Sequence, residues 1–220
     1  MFDQSFSMDS SILRLRERLS GPLPGRTAQY EMASLRRLQE LGDAPAPPAD
    51  ARVACVLHLL HRRHEGDPWR TVLIQRSANP RDRHSGQISF PGGRWEESDG
   101  ADLAAAALRE AHEEIGVSPV EVQLLGRLTD LYIPVSNFVV HPFVGLLLGP
   151  PEFIPQPGEV ESILTPTIEQ LSDPVNRKKT DLSLGSGVTI REVPYFDVDG
   201  RVLWGATAMI LNEFFAVWGS

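Results

Sequence analysis

The sequence predicts an α/β domain in which a mixed β-sheet lies between helices. Three observations carry this. Strand-like runs at 51–61 and 69–75 precede one strongly helical segment at 102–115, and further runs at 122–128, 139–148 and 188–196 follow it. The central segment repeats its apolar residues at helical spacing, whereas the flanking runs are short and bounded by Gly, Pro and Asp. With 220 residues, 41% of them hydrophobic and 23% charged, the chain has the length and composition of a globular domain with a substantial core.

The elements follow in order. Asp9 or Ser10 caps a short helix that carries Ile12, Leu15 and Leu19 on one face and has Gly21 after it. A second helix is expected over 30–41, and the Pro-rich stretch 42–50 reads as a linker. Residues 1–48 are therefore expected to be an N-terminal helical extension and linker, and 49–220 the main domain. The first two strands join across Glu65-Gly66-Asp67-Pro68. Alanines at 104–107 give the central helix its propensity, and Gly116 suits a left-handed C-cap. A helical turn at 168–171 and a closing helix at 206–217 complete the chain, which has no internal repeat.

Composition also excludes functions. One cysteine, Cys55, in an apolar strand rules out an intramolecular disulfide and a multi-cysteine zinc site. The start, Met-Phe-Asp-Gln-Ser, lacks the basic and apolar regions of a secretory leader, and no apolar run reaches the ~18 residues of a membrane span. A cytoplasmic protein with no membrane partner is expected. A net charge of −8 argues against nucleic acid. A homodimer stays open.

The chemistry concentrates between residues 70 and 117. Glu110, Glu113 and Glu114 fall on one side of the central helix, since each residue advances by about 100°. Ala104, Leu108, Ala111 and Ile115 form a separate apolar stripe. Carboxylates at that density repel unless a cation sits among them, and all-oxygen ligands suit Mg²⁺ or Mn²⁺. On these residues alone, a solvated acidic face with an Arg109–Glu113 ion pair is the alternative. Upstream lie Arg70, Arg76, Arg81, Arg83 and Arg94 with Asp82 as the only acid, a cluster that on residue type is either a basic surface strand and loop or a set of contacts for anionic substrate groups.

This stretch resembles the Nudix box of diphosphate hydrolases. Gly93 stands at its first glycine, Arg109-Glu110 at its Arg-Glu pair, Glu113-Glu114 at its Glu-Glu pair, and Gly116-Val117 at its end. Two departures concern the first box glutamate: position 99 holds Asp, and nine residues separate Asp99 from Arg109 where the family has seven. Asp99, Glu96 and Glu97 are the candidates for that glutamate's part. The residues Val72-Leu-Ile-Gln-Arg-Ser, Arg81 and His84-Ser-Gly-Gln-Ile-Ser-Phe-Pro-Gly-Gly are similar to the signature of the coenzyme A diphosphatase branch of that family, as is Leu203-Trp-Gly-Ala-Thr-Ala.

The resemblance implies a Nudix-type sheet between helices and a metal-dependent hydrolase. Such an enzyme would cut coenzyme A or acyl-CoA to 3′,5′-ADP and (acyl-)4′-phosphopantetheine. Glu110, Glu113 and Glu114 are then the expected ligands of Mg²⁺ or Mn²⁺, and Arg109 orients a neighbouring carboxylate. Arg76, Arg81, His84, Gly92 and Gly93 are expected to meet substrate. Glu159, in Pro157-Gly-Glu-Val-Glu, is one candidate general base, and the box helix holds the others. The alternatives are a Nudix hydrolase of ADP-ribose, a dinucleotide or a nucleoside triphosphate, and a catalytically silent Nudix-fold binding protein.

Overall fold

In the computed structural model, residues 9–42, 46–78, 85–183 and 187–219 are described. Strand β1 (Arg52–His61) divides the interior. Its side chains alternate, as a strand's must: Cys55, Leu57 and Leu59 join one apolar cluster, and Ala54, Val56 and Leu60 the other. Helix α4 (Leu103–Ile115) closes the first cluster with Ala106, Ala107, Ala111 and Ile115. Helices α1 (Ser10–Leu19) and α6 (Gly205–Gly219) close the second through Ile12, Leu15, Met209, Leu211 and Phe214. The expected sheet between helices is thus what forms. His58, on the α6 side, stacks on Phe90 and meets the Phe214 ring at a tilt, and burial pushes its pKa down to about 3, so the core holds it neutral.

The main sheet runs β2 (Arg70–Thr71), β1, β8 (Phe138–Leu147), β6 (Val122–Arg127). Two short strands extend it, β5 (Gly92–Arg94) on β1 and β7 (Leu131–Ile133) on β8. It is mixed because β1 and β8 run parallel while the other pairs are antiparallel. A second sheet has the order β4 (Ile88–Ser89), β3 (Leu73–Arg76), β9 (Val160–Leu164). The third joins β10 (Arg177–Ser183), β11 (Thr189–Val198) and β12 (Arg201–Trp204), with α5 (Ile168–Ser172) before it. Among the described residues, no helix is long and apolar enough to cross a membrane.

Two expected elements are divided. The run at 69–75 breaks at Val72, whose N–H bonds to Leu59 O. Arg70 and Thr71 stay with β1, while Leu73 onward leaves for the second sheet. The helix expected over 30–41 becomes α2 (Arg26–Tyr30) and α3 (Leu35–Leu41). Between them Met32 and Ala33 turn into the core, and the Ser34 hydroxyl caps α3 by accepting from Arg37 N. Strands β4, β5, β7 and β12 are too short to show alternation in sequence.

The N-terminal helices are bound to α6 by polar contacts in an apolar setting. Glu213, fully buried, accepts from Gly25 N at 3.1 Å, Gln29 Nε2 at 2.8 Å and Thr129 Oγ1 at 2.6 Å. Arg18 donates to the carbonyls of Val217 and Trp218, both at 3.0 Å. Truncating Glu213 strands several donors without water. Glu213→Ala should therefore cost roughly 3 kcal/mol or more in chemical denaturation. The exposed Glu161→Ala should stay within about 0.5 kcal/mol. Equal, small losses would show that the buried carboxylate does not hold the N-terminal segment.

Candidate active site

Helix α4 lies close against β1 and β5. The Asp102 side chain caps its start by accepting from Ala104 N at 3.0 Å, and Gly116, left-handed at φ 75°, ends it. The small face of Ala106, Ala107 and Ala111 permits the approach, and two glycines in β5 complete it. A Cβ on Gly93 would stand 2.5 Å from the Glu110 carboxyl carbon. One on Gly92, at φ 150°, would collide with the backbone of Cys55 and Val56.

This packing buries acid. Glu114 is 3% exposed; its Oε2 accepts from Gly92 N at 2.8 Å, and its Oε1 lies 3.5 Å from Arg76 Nη1. Burial pushes its pKa up to about 7, against the pull of Gly92 N–H and Arg76, with Glu110 and Glu159 adding repulsion. The Glu110 carboxyl is also raised, first by burial, with Arg109 opposing and Glu113 and Glu159 adding to the rise.

Arg109 holds the cluster together. It donates from Nε to Asp99 Oδ1 at 2.7 Å and from Nη2 to Asp99 Oδ2 at 3.1 Å. Its Nη1 reaches Glu110 Oε1 at 2.9 Å and Glu113 Oε2 at 3.3 Å, and its Nη2 also reaches Arg94 O at 3.1 Å. Five hydrogen bonds occupy the five N–H groups of a guanidinium. Arg109 is committed to placing its neighbours. Its own pKa rises further, chiefly through Asp99, while the Asp99 carboxyl is held below its usual range by Arg109.

A cavity of about 400 Å³ opens beside this cluster. Of the expected residues, Arg76, Gly92, Gly93, Glu110, Glu114 and Glu159 line it. Glu113 does not: its side chain is 52% exposed and leans on Arg109, because it stands one position around the helix from Glu114. Arg81 and His84 lie outside the described residues. Arg70 belongs to another part of the fold, beside Thr165. Ser77, Arg94 and Gly158 also line the cavity. The sequence signals for these were adjacency to Arg76, membership of the arginine cluster and the glycine next to Glu159.

A family model described as the NUDIX domain matches residues 50–183. The chain belongs to the Nudix family. It is 36% identical over 129 residues to the peroxisomal coenzyme A diphosphatase ndx-8 of Caenorhabditis elegans, covering 59% of this chain and 54% of that protein. It is 35% identical over 162 residues to the mitochondrial Nudix hydrolase 15 of Arabidopsis thaliana, covering 72% and 55%. The chain thus spans about half the length of these curated relatives. The crystal structure of a MutT/nudix family protein from Enterococcus faecalis shares the fold, with a TM-score of 0.50 at 17% identity over 86% of this chain and 71% of that one.

Within the Nudix box, the geometry distinguishes the three candidates for the first glutamate. Asp99 grips Arg109, whereas the Glu96 side chain caps the short 3₁₀ turn Glu97–Asp99 by accepting from Asp99 N. The two additional residues fall after that turn, between Asp99 and Arg109, and the helix that begins at Leu103 still brings Arg109 onto Asp99. As for the divalent ion that the family implies, no group of three or more His, Cys, Asp or Glu among the described residues is gathered closely enough to hold one as it stands. The donor chemistry nevertheless fits. Glu110 and Glu114 are two desolvated carboxylates at one cavity wall, each pushed up first by burial and further by Glu159, which lines the same cavity, and a hard cation would relieve that repulsion.

The Asp99 assignment has a direct test. Asp99→Asn removes the charge behind a bidentate pair and should destabilise the fold by about 1.5 kcal/mol or more in denaturant titration. Glu97→Gln, at an exposed position, should change stability by less than about 0.5 kcal/mol. The reverse ranking would return Asp99 to the loop.

Proposed function

We propose that this Nudix chain is a metal-dependent hydrolase of the diphosphate linkage in coenzyme A or acyl-CoA, releasing 3′,5′-ADP and (acyl-)4′-phosphopantetheine. The observation that carries the diphosphate part is the cavity at which Glu110, Glu114 and Glu159 face Arg76 over a glycine-lined floor. Glu110, Glu113 and Glu114 supply the oxygen donors for Mg²⁺ or Mn²⁺. The first two of the wall, Glu110 and Glu114, already line the cavity, while Glu113 is the exposed member of the set. Such an ion, when bound, neutralises diphosphate oxygens and makes a water more acidic.

The chain's own residues do the rest. Arg76 meets an anionic group of the substrate, and the Gly92 N–H keeps Glu114 turned toward the cavity. Arg109 fixes Glu110 from behind, as a positioning residue. Glu159 lines the cavity on a segment other than the box helix, and is our candidate for polarising the attacking water.

Support for coenzyme A over other diphosphates is the meeting of two signature segments. Strand β12, which ends at Trp204, packs against β4 of the 84–93 string, and Arg201 Nε donates to Gln75 Oε1 at 3.2 Å across 126 residues of sequence. The name of the nematode relative points the same way. A cytoplasmic location stays our reading of the sequence only, beside relatives whose names place them in peroxisomes and mitochondria.

Purified protein with Mg²⁺ or Mn²⁺ should cleave coenzyme A with kcat/KM at least about tenfold above that for ADP-ribose, or roughly 1.4 kcal/mol of differential binding. A preference for ADP-ribose would sink the coenzyme A assignment alone. No cleavage of coenzyme A, ADP-ribose or dinucleotides would sink the hydrolase reading. Glu114→Gln should abolish most turnover, and Arg76→Ala should raise KM more than it lowers kcat. Full activity in either variant would remove that residue from the machinery.

A further inference from the structure

A second cavity, of about 340 Å³, lies at the opposite end of β1 and, among the described residues, shares no lining residue with the first. Gly93 pairs with Cys55, whereas the second cavity is built on His61. At about 3.3 Å per residue the two points are roughly 20 Å apart along the strand.

His61 is 3% exposed, and neither ring nitrogen has a hydrogen-bond partner among the described residues. Buried imidazoles are ordinarily partnered, so this one is unsatisfied unless something enters the cavity that it lines. The Phe153 ring stands edge-on to it at 5.1 Å, and Pro68 and Pro151 add apolar wall. Arg70 is its direct cross-strand partner on β2, so the two side chains leave the sheet on the same face.

Arg63 and Arg70 both line this space. Arg70 spends one N–H on Thr165 O at 2.6 Å, out of the five that a guanidinium carries. Asp67, the one acid among the described lining residues, has its Oδ2 engaged by the backbone N–H of His64. Burial, and then Arg70 and Arg63, push the His61 pKa down to about 4, which leaves a neutral ring with a single N–H to donate. Two fixed cations and one imidazole N–H, backed by an aromatic ring and two prolines, are the recognition set of a phosphate carried on a small organic group. The volume is at the lower end of small-ligand pockets.

We propose that this cavity is a second binding site, for a phosphate monoester, with Arg63, Arg70 and His61 holding the phosphate and Phe153 the organic part. The proposal rests on the cavity and not on the diphosphatase reading. Its test uses the full chain in EDTA, labelled with ¹⁵N-histidine and titrated with inorganic phosphate. The His61 ring resonances should shift and saturate. Arg63→Gln, at an exposed position, should weaken that response about tenfold or more, while Arg76→Ala in the first cavity should leave it unchanged. Acetate should bind more weakly than phosphate. The proposal is overturned by no saturable shift at His61, by a shift indifferent to Arg63→Gln, by one abolished in Arg76→Ala, or by an equal response to acetate.

Discussion

The close seating of α4 on β5 and β1 is the constraint from which the rest of the site follows. It exists because positions 92 and 93 have no Cβ and because the helix presents alanines to the strand. A helix seated this close takes Glu110 and Glu114 largely out of water, while Glu113 beside them stays half-exposed. Glu114 becomes buried, and among the described residues its charge is opposed by one backbone N–H and a long contact to Arg76. The Glu110 carboxyl fills the space above Gly93. Packing has thus produced desolvated carboxylates with raised pKa values, an arrangement that stores a demand for positive charge at one cavity wall.

Arg109 meets part of that demand without filling the cavity. Its guanidinium stands behind the carboxylates, locked by Asp99 and the Arg94 carbonyl. Because every N–H is committed, it orients Glu110 and Glu113 as a rigid post, a role that a lysine with one rotating ammonium could not reproduce. The 3₁₀ turn Glu97–Asp99 brings the Asp99 carboxylate under that fork, and the longer spacing before Arg109 lies between that turn and the arginine.

The segment between β8 and β9 links the two ends of the molecule. Ile154 N and Gln156 N bond to the carbonyls of Ile115 and Glu114, so the segment completes the C-terminal turn of α4. Its early residues Pro151 and Phe153 wall the second cavity, and its later residues Gly158 and Glu159 line the first. Both cavities therefore share one stretch of backbone that is tied to the box helix.

Local sequence determined the existence of α4, its end at Gly116 and, to within a residue at either end, the strands expected at 51–61 and 139–148, because periodicity and capping act within a few residues. The Arg109–Glu110–Glu113–Glu114 pattern and the glycine pair were equally legible, since their chemistry is written in residue type and spacing. Only the tertiary structure decided which acid serves Arg109, because Asp99, Glu96 and Glu97 differ by the path of a turn and not by their chemistry. It also decided that Glu114 is buried while Glu113 is exposed: both lie on one side of the helix, but the 100° between them spans the edge of contact with β5. Arg70 and Arg76 look alike in sequence, yet the break at Val72 sends them to different sheets and to different cavities, a separation set by hydrogen bonds to β1 and β9 that no local pattern records.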